Sequence, residues 1–193
     1  MVCDEVQTGW GRSGRMFASQ YFAEAGCAPD IMTTAKSIAA GMPISAVTAR
    51  AEIMDKVAPG TIGGTFGANA MSAAAALKVI EIMERDDYPG KALHIAEKVR
   101  TAFDAWVDKY EVVGNVRGTG AMMGIEFVTD KASKGPNAAL VSAIVQYAMN
   151  KGLMLEAAGT YGNVIRFLCP LCATDAQLEA GIEIFENALK ACM

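Results

Sequence analysis

A single histidine, five cysteines and no apolar run long enough to cross a bilayer set the first limits on this sequence of 193 residues. The histidine, His94, lies far from the Cys169-Pro170-Leu171-Cys172 pair, and one C-x-x-C is only half of a structural zinc site. The pair reads as packing thiols beside a strand end, and no metal centre is expected. An odd cysteine count fits free thiols in a reducing compartment better than a disulfide framework. A formal net charge of −4 and the lack of any Lys/Arg cluster leave no footprint for nucleic acid or a membrane surface. The richest apolar stretch, residues 71–83, is broken by Lys78 and Glu81. The opening Met1-Val2-Cys3-Asp4-Glu5 has neither the basic nor the apolar region of a signal peptide, so a cytoplasmic location is expected.

What is present is apolar and patterned. A hydrophobic fraction of 52% against 20% charged predicts a folded chain with an ample core. Ala73, Ala76, Leu77, Ile80 and Met83 keep to one face at the 3.6-residue period, and Ile95, Val99, Phe103, Trp106 and Tyr110 do the same in a second helix. His94 falls on the other side of that helix with Lys98 and Thr101, which predicts a solvated side chain. Residues 111–116 and 121–128 read as strands about a glycine turn, Arg117-Gly118-Thr119-Gly120. A helix with Leu140, Ile144 and Tyr147 inward and Gly152 as its C-cap follows. Short strands are then expected around Leu153-Met154-Leu155 and Val164-Ile165-Arg166-Phe167, and Thr174-Asp175-Ala176-Gln177 opens the last helix with a capping-box pattern. The expected organisation is α/β: part of a larger domain over residues 1–88, a connecting helix over 89–110 and a small α/β domain over 111–193.

The first third is richer in glycine and polar residues than a simple core needs, and loops of this type usually carry function. Gly9-Trp10-Gly11-Arg12-Ser13-Gly14 matches the G-x-G-x-x-G dinucleotide fingerprint. That mechanism needs an acidic residue at the end of the next strand to hold a ribose. The nearest, Asp30, comes before the next apolar run, Ile31-Met32, and follows a proline. A Rossmann-type NAD-dependent protein is therefore the less favoured reading.

A different constellation fits better. Asp4-Glu5-Val6-Gln7-Thr8-Gly9, Gly11-Arg12-Ser13-Gly14, Pro29-Asp30-Ile31, Ala35-Lys36-Ser37 and Gly41-Met42-Pro43-Ile44-Ser45-Ala46-Val47 stand in one order. Gly63-Gly64-Thr65-Phe66, Val116-Arg117-Gly118-Thr119-Gly120 and Gly162-Asn163-Val164-Ile165-Arg166-Phe167 continue it. Together they resemble the class III aminotransferases, enzymes that depend on pyridoxal 5′-phosphate (PLP), over nearly the whole chain. Within that class Gly60-Thr61-Ile62-Gly63-Gly64-Thr65 and Tyr161-Gly162-Asn163-Val164-Ile165-Arg166 look most like the 4-aminobutyrate aminotransferases. Ala68-Asn69-Ala70 and Glu156-Ala157-Ala158 depart from the usual pattern, the second near the expected substrate site.

The resemblance implies a PLP-dependent transferase of fold type I, with part of the large domain followed by the small one. It implies Lys36 as the Schiff-base lysine, since this chemistry needs an amine that can bond the cofactor aldehyde. Asp4 would be the fixed carboxylate that keeps the pyridine nitrogen protonated. Val6 would pack on the ring, Gln7 would reach its phenolic oxygen, and Thr65 would bind the phosphate of the neighbouring subunit's cofactor, so that a homodimer shares its active sites. Arg166, flanked by Ile165 and Phe167 that point to the opposite strand face, would clamp the substrate carboxylate. Glu5 receives no role, and Arg117 is expected to support a turn. The implied reaction moves an amino group from an ω-amino acid, 4-aminobutyrate first, to a keto acid such as 2-oxoglutarate. The family's chain starts well before Met1, so the sequence is expected to be the C-terminal part of such an enzyme. The competing reading is a non-catalytic fragment, or a half that depends on a partner.

Overall fold

Short strands in the first third and longer alternating ones in the second half build two separate sheets. They lie in two compact units, Met1–Gly90 and Lys91–Met193, of a computed structural model that describes residues 1–61, 63–67 and 69–193.

The first unit is organised by strands β1 (Val2–Asp4), β2 (Ile31–Thr34) and β3 (Ala46–Ala49), in that spatial order. β1 and β2 run parallel and β3 is antiparallel to β2. The crossover between the parallel pair carries helix α1 (Ser19–Glu24), and a single 3-10 turn, Lys36–Ala39, follows β2. A short helix, α2 (Ala51–Met54), precedes the long α3 (Ala70–Arg85). Four consecutive alanines favour the helix, and the Asn69 side chain caps it by accepting from the amides of Met71 and Ser72 at 3.0 and 3.1 Å.

Ser72, Ala76 and Met83 form the buried seam of α3, with Val79 and Ile80 beside it. They pack on Trp10, Ile38 and Ala39, where Trp10 meets Phe17 edge-to-face at 5.4 Å. Ala73 and Leu77 depart from expectation: both are exposed, Leu77 to 70%. The seam runs through i, i+4, i+7 and i+11 from Ser72, which turns Leu77 about 100° away from Ala76 onto the flank.

The second unit is a four-stranded antiparallel sheet with three helices on one face. Helix α4 (Tyr88–Lys109) crosses the boundary in its first turn; β4 (Val113–Thr119), β5 (Met122–Phe127), α5 (Ala138–Asn150), β6 (Glu156–Ala158), β7 (Val164–Phe167) and α6 (Asp175–Cys192) follow. The sheet order is β4-β5-β7-β6. Met123, Ile125 and Phe127 of β5 and Ile165 and Phe167 of β7 alternate inward, as a half-buried sheet requires. They meet the expected apolar face of α4, in which Ile95, Val99, Phe103, Trp106 and Tyr110 are all buried. Phe103 packs at 5.4 Å on Phe167 and 5.6 Å on Phe185, both edge-to-face. Leu140 and Ile144 of α5 are buried as expected, with Tyr147 half-buried. α6 starts with the capping box read from sequence, Thr174 and Gln177 each bonding the other's backbone.

Two strand expectations need correction. Arg117 belongs to β4, which continues through Gly118 and Thr119, so the turn is shorter than the four residues expected. Gly118 makes this possible: its φ is +156°, and a Cβ there would sit 2.8 Å from Met123 Cα. The strand near Leu153-Met154-Leu155 forms instead over Glu156–Ala158, because that segment is the one that finds a partner in β7. Leu155 is buried while Met154 is 90% exposed. No helix among the described residues is long and apolar enough to cross a membrane.

Candidate functional site

At the end of β1 two consecutive carboxylates go to opposite sides. Period-two alternation separates Asp4 from Glu5, and the structure exposes the first and buries the second to 2%. Glu5 turns inward and accepts the backbone amides of Ala18 at 3.1 Å and Ser19 at 2.5 Å, and the hydroxyl of Thr8. Those amides are the open donors at the start of α1, so a buried carboxylate completes the helix terminus. Sequence reasoning gave Glu5 no role; alternation separates it from Asp4 but does not say which of the two is inside.

This contact also answers the glycine motif. A dinucleotide pyrophosphate would need the helix amides that Glu5 already holds. The glycines have other work. Gly11 (φ +79°) lies where a Cβ would come within 3.1 Å of Met83 Cε and 3.4 Å of the Pro89 nitrogen, so it lets the loop pack on the end of α3. Gly9 brings the loop against the Glu5 carbonyl, to which its own amide donates at 3.0 Å.

Asp4 lies at the C-terminal end of β1, opposite Thr33 in the register of the parallel pair. Its Oδ1 accepts the amide of Val6 at 3.0 Å and the hydroxyl of Thr33 at 3.4 Å. The carboxylate is thus fixed from its own turn and from the neighbouring strand. Thr33 had no part in the sequence reading, though its place opposite Asp4 follows once the two strands are paired in register. Val6 and Gln7 occupy the half-buried turn that follows.

Lys36 stands two residues beyond β2, at the same end of the parallel pair as Asp4. Ligands of open α/β sheets gather outside the carboxyl ends of such strands. The backbone at Lys36 is left-handed, φ +50°, and at Ala40 it is again left-handed, φ +49°. A residue with a Cβ holds that conformation at a cost of about 1–3 kcal/mol, and only where its surroundings enforce it. Here the enforcement comes from Ile38 and Ala39, buried at 7% and 1% in the Trp10–Met83 cluster. The Lys36 side chain itself is exposed.

Thr65 is exposed in a turn closed by the Gly67 amide on the Gly64 carbonyl at 2.9 Å. Ile62 and Ala68, members of the motifs on either side of it, lie outside the described residues. Arg166 is in the second unit, on the sheet face opposite the core. Its strand neighbours Ile165 and Phe167 are buried at 0% and 5% on the other face. The Arg166 Nη2 pairs with Glu156 Oε2 at 2.5 Å, across directly opposed positions of β6 and β7. Arg117 lies on this outer face too, two strands away, paired with Glu126 at 2.5 Å. His94 is exposed and bonded to Asp175 at 2.8 Å, as its place on α4 predicts.

An exposed, oriented carboxylate and a lysine with left-handed backbone thus stand at the same end of the parallel pair. The structure superposes with a TM-score of 0.90 on the ω-transaminase from Pseudomonas jessenii in complex with PMP, at 28% identity, covering 99% of this chain and 43% of that one. It superposes at 0.88 on an amine transaminase from an uncultivated Pseudomonas species in its PLP-bound form, at 33% identity, covering 100% and 44%. The chain belongs to the class III aminotransferases, whose sequence model matches residues 1–189. It is 44% identical over 187 residues to the 4-aminobutyrate aminotransferase GabT of Escherichia coli and, to the same extent, to the 5-aminovalerate aminotransferase DavT of Pseudomonas putida. In each case 97% of this chain matches 43% of the relative, so the chain spans about two fifths of the length of these enzymes.

Proposed function

We propose that this chain carries the lysine and aspartate of a PLP-dependent aminotransferase that moves an amino group from an ω-amino acid to a keto acid such as 2-oxoglutarate. The observation that carries the reading is the Asp4 carboxylate, held by Val6 and Thr33 at the same end of the parallel pair as Lys36. That donor set fits PLP, which presents an aldehyde to an amine and a ring N–H to a fixed anion. The relatives named for 4-aminobutyrate and 5-aminovalerate support an ω-amino acid as donor.

When bound, PLP supplies an electron sink for the pair left behind as a substrate C–H bond breaks. Lys36 Nζ would bond the cofactor aldehyde and, once released from it, would take and return the proton at the substrate carbon. Asp4 would keep a ring N–H charged. Val6 would pack on the ring and Gln7 would donate to its phenolic oxygen. Thr65 would bind the phosphate of a second copy's cofactor, which would make the assembly a homodimer with shared sites, and Arg166 would receive the substrate carboxylate. Residues 1–88 serve as the cofactor-binding part, 89–110 as a connecting helix and 111–193 as the small domain. Five free thiols fit a cytoplasmic setting.

The coverage of the relatives favours a second reading, in which the chain is inactive alone and depends on a partner carrying the remaining sequence. Borohydride reduction in the presence of PLP, followed by peptide mass mapping, separates the two. A cofactor mass on Lys36, lost in Lys36→Ala, is expected; an unmodified Lys36 sinks the claim that this chain holds PLP by itself. A donor panel of 4-aminobutyrate, 5-aminovalerate, ornithine and β-alanine then ranks the substrates.

A further inference from the structure

The C-x-x-C of residues 169–172 has no part in the proposed transamination, and the structure tells its two thiols apart. Packing, expected of both, holds for Cys169, which is half-buried against the core of the second unit with Leu171 and Ala173. It fails for Cys172, which is exposed and stands outside that packing. Neither is in a disulfide.

Both residues line one cavity of about 580 Å³ within the second unit, beside Phe167 at the end of β7 and Gln177 and Leu178 of α6. Residues 168–173 lie between β7 and the Thr174 cap of α6, in neither a strand nor a helix. A turn closes there, the Ala173 amide donating to the Pro170 carbonyl at 3.0 Å. Residues three apart span at most about 10 Å, and a turn shortens that span toward the roughly 4–7 Å that a disulfide bridges. Bringing the two sulfurs together breaks no ladder or helix hydrogen bond.

We propose that Cys169 and Cys172 are a redox pair that a small disulfide such as glutathione disulfide oxidises, Cys172 attacking and Cys169 resolving. Exposure assigns the roles: a bulky disulfide reaches Cys172, whereas the packed Cys169 meets only a sulfur already beside it. The Cys172 thiol gives its proton to solvent and attacks one sulfur of glutathione disulfide, and one glutathione leaves as a thiolate. Cys169 loses its proton in turn and attacks the Cys172 sulfur of the mixed disulfide, and the second glutathione leaves. The dithiol is oxidised by two electrons, and glutathione disulfide is reduced to two glutathiones. Excess reduced glutathione runs both steps backwards, so the bridge reports the thiol poise of its surroundings. It forms in the wall of the cavity that Arg166 also lines.

The test incubates the chain with glutathione disulfide, blocks remaining thiols with iodoacetamide and maps tryptic peptides by mass. Trypsin cleaves after Arg166 and Lys190, so both thiols fall on one peptide, 167–190, with no other cysteine. In wild type this peptide is expected to lose two hydrogens, carry neither glutathione nor acetamide, and recover with dithiothreitol. Cys169→Ser is expected to trap glutathione on Cys172. Cys172→Ser is expected to take it on Cys169 at least about tenfold more slowly, with both variants checked for unchanged thermal unfolding. Cys27, exposed and far from any second cysteine in sequence, takes glutathione throughout and serves as the internal control. A lasting glutathione adduct on peptide 167–190 of wild type, or that peptide left unmodified while Cys27 reacts, overturns the pair. Equal rates in the two variants overturn the assignment of roles.

Discussion

Thr33 stands directly opposite Asp4 in the parallel pair β1–β2, and its hydroxyl donates to Asp4 Oδ1 at 3.4 Å. The amide of Val6 donates to the same oxygen at 3.0 Å. A carboxylate held from two elements is presented in one orientation, which is what recognition of a ring N–H requires. Removing one neutral donor loses about 0.5–1.5 kcal/mol. Thr33→Val is therefore expected to weaken PLP binding about three- to tenfold in an absorbance titration. Asp4→Asn removes the charge itself and should weaken it far more. Equal effects of the two variants would show that Thr33 does not act through Asp4.

The left-handed backbone at Lys36 makes an unusual stability prediction. Glycine accepts φ near +50° without the Cβ conflict, whereas alanine keeps the conflict and lacks the amine. Lys36→Gly is expected to be more stable than Lys36→Ala by about 1 kcal/mol in urea unfolding, although both lose the cofactor adduct. The reverse order would mean that the lysine backbone is not strained. The comparison isolates conformation, because neither variant has a functional side chain.

What could be read from the sequence follows the range of the interactions. The buried face of α4 and the capping box of α6 depend on residues three or four apart, and both stand where the periodicity puts them. Asp4 and Lys36 fall at strand ends because short apolar runs stop there. The failures are long-range. β6 forms at Glu156, not at the more apolar Leu153-Met154-Leu155, because a strand needs a partner and it is Glu156, Ala157 and Ala158 that pair with Arg166, Ile165 and Val164 of β7. Leu77 is exposed because the seam of α3 is chosen by Trp10 and Ile38, which no local period reveals. Thr33 and Glu156 acquire meaning only once their strands are paired.

Glu5 is the clearest test of a buried polar contact. It satisfies the amides of Ala18 and Ser19, which would otherwise remain unpaired beside a buried loop. Leaving one buried donor unmade costs about 1–3 kcal/mol. Glu5→Ala is expected to lower stability by about 2–4 kcal/mol and to abolish hydrogen-exchange protection at Ser19, with Glu5→Gln milder. A loss confined to global stability, with Ser19 still protected, would place the effect elsewhere.

Acid should act on the second unit through Glu186. The Lys109 ammonium at 2.7 Å, then the Tyr110 hydroxyl at 2.7 Å and Lys190 at 3.2 Å, hold its carboxyl well below its ordinary 4.5, down to about 2. A depressed folded-state value means that the unfolded chain takes up the proton first as pH falls. The stabilisation is complete above pH 4.5 and is lost progressively between 4.5 and about 2. Its size is on the order of 2 kcal/mol once solvent screening of the partly exposed group is allowed for. Denaturant unfolding of wild type and Glu186→Gln, followed by tryptophan fluorescence from pH 7 to 2, checks this. Trp106 lies in the core beneath Glu186's helix, in edge-to-face contact with Phe185 at 5.2 Å. The stability gap between the two proteins should be widest at neutral pH and close as acid protonates the carboxyl. A gap that is constant across that window would show that the Glu186 contacts act through packing and not through charge.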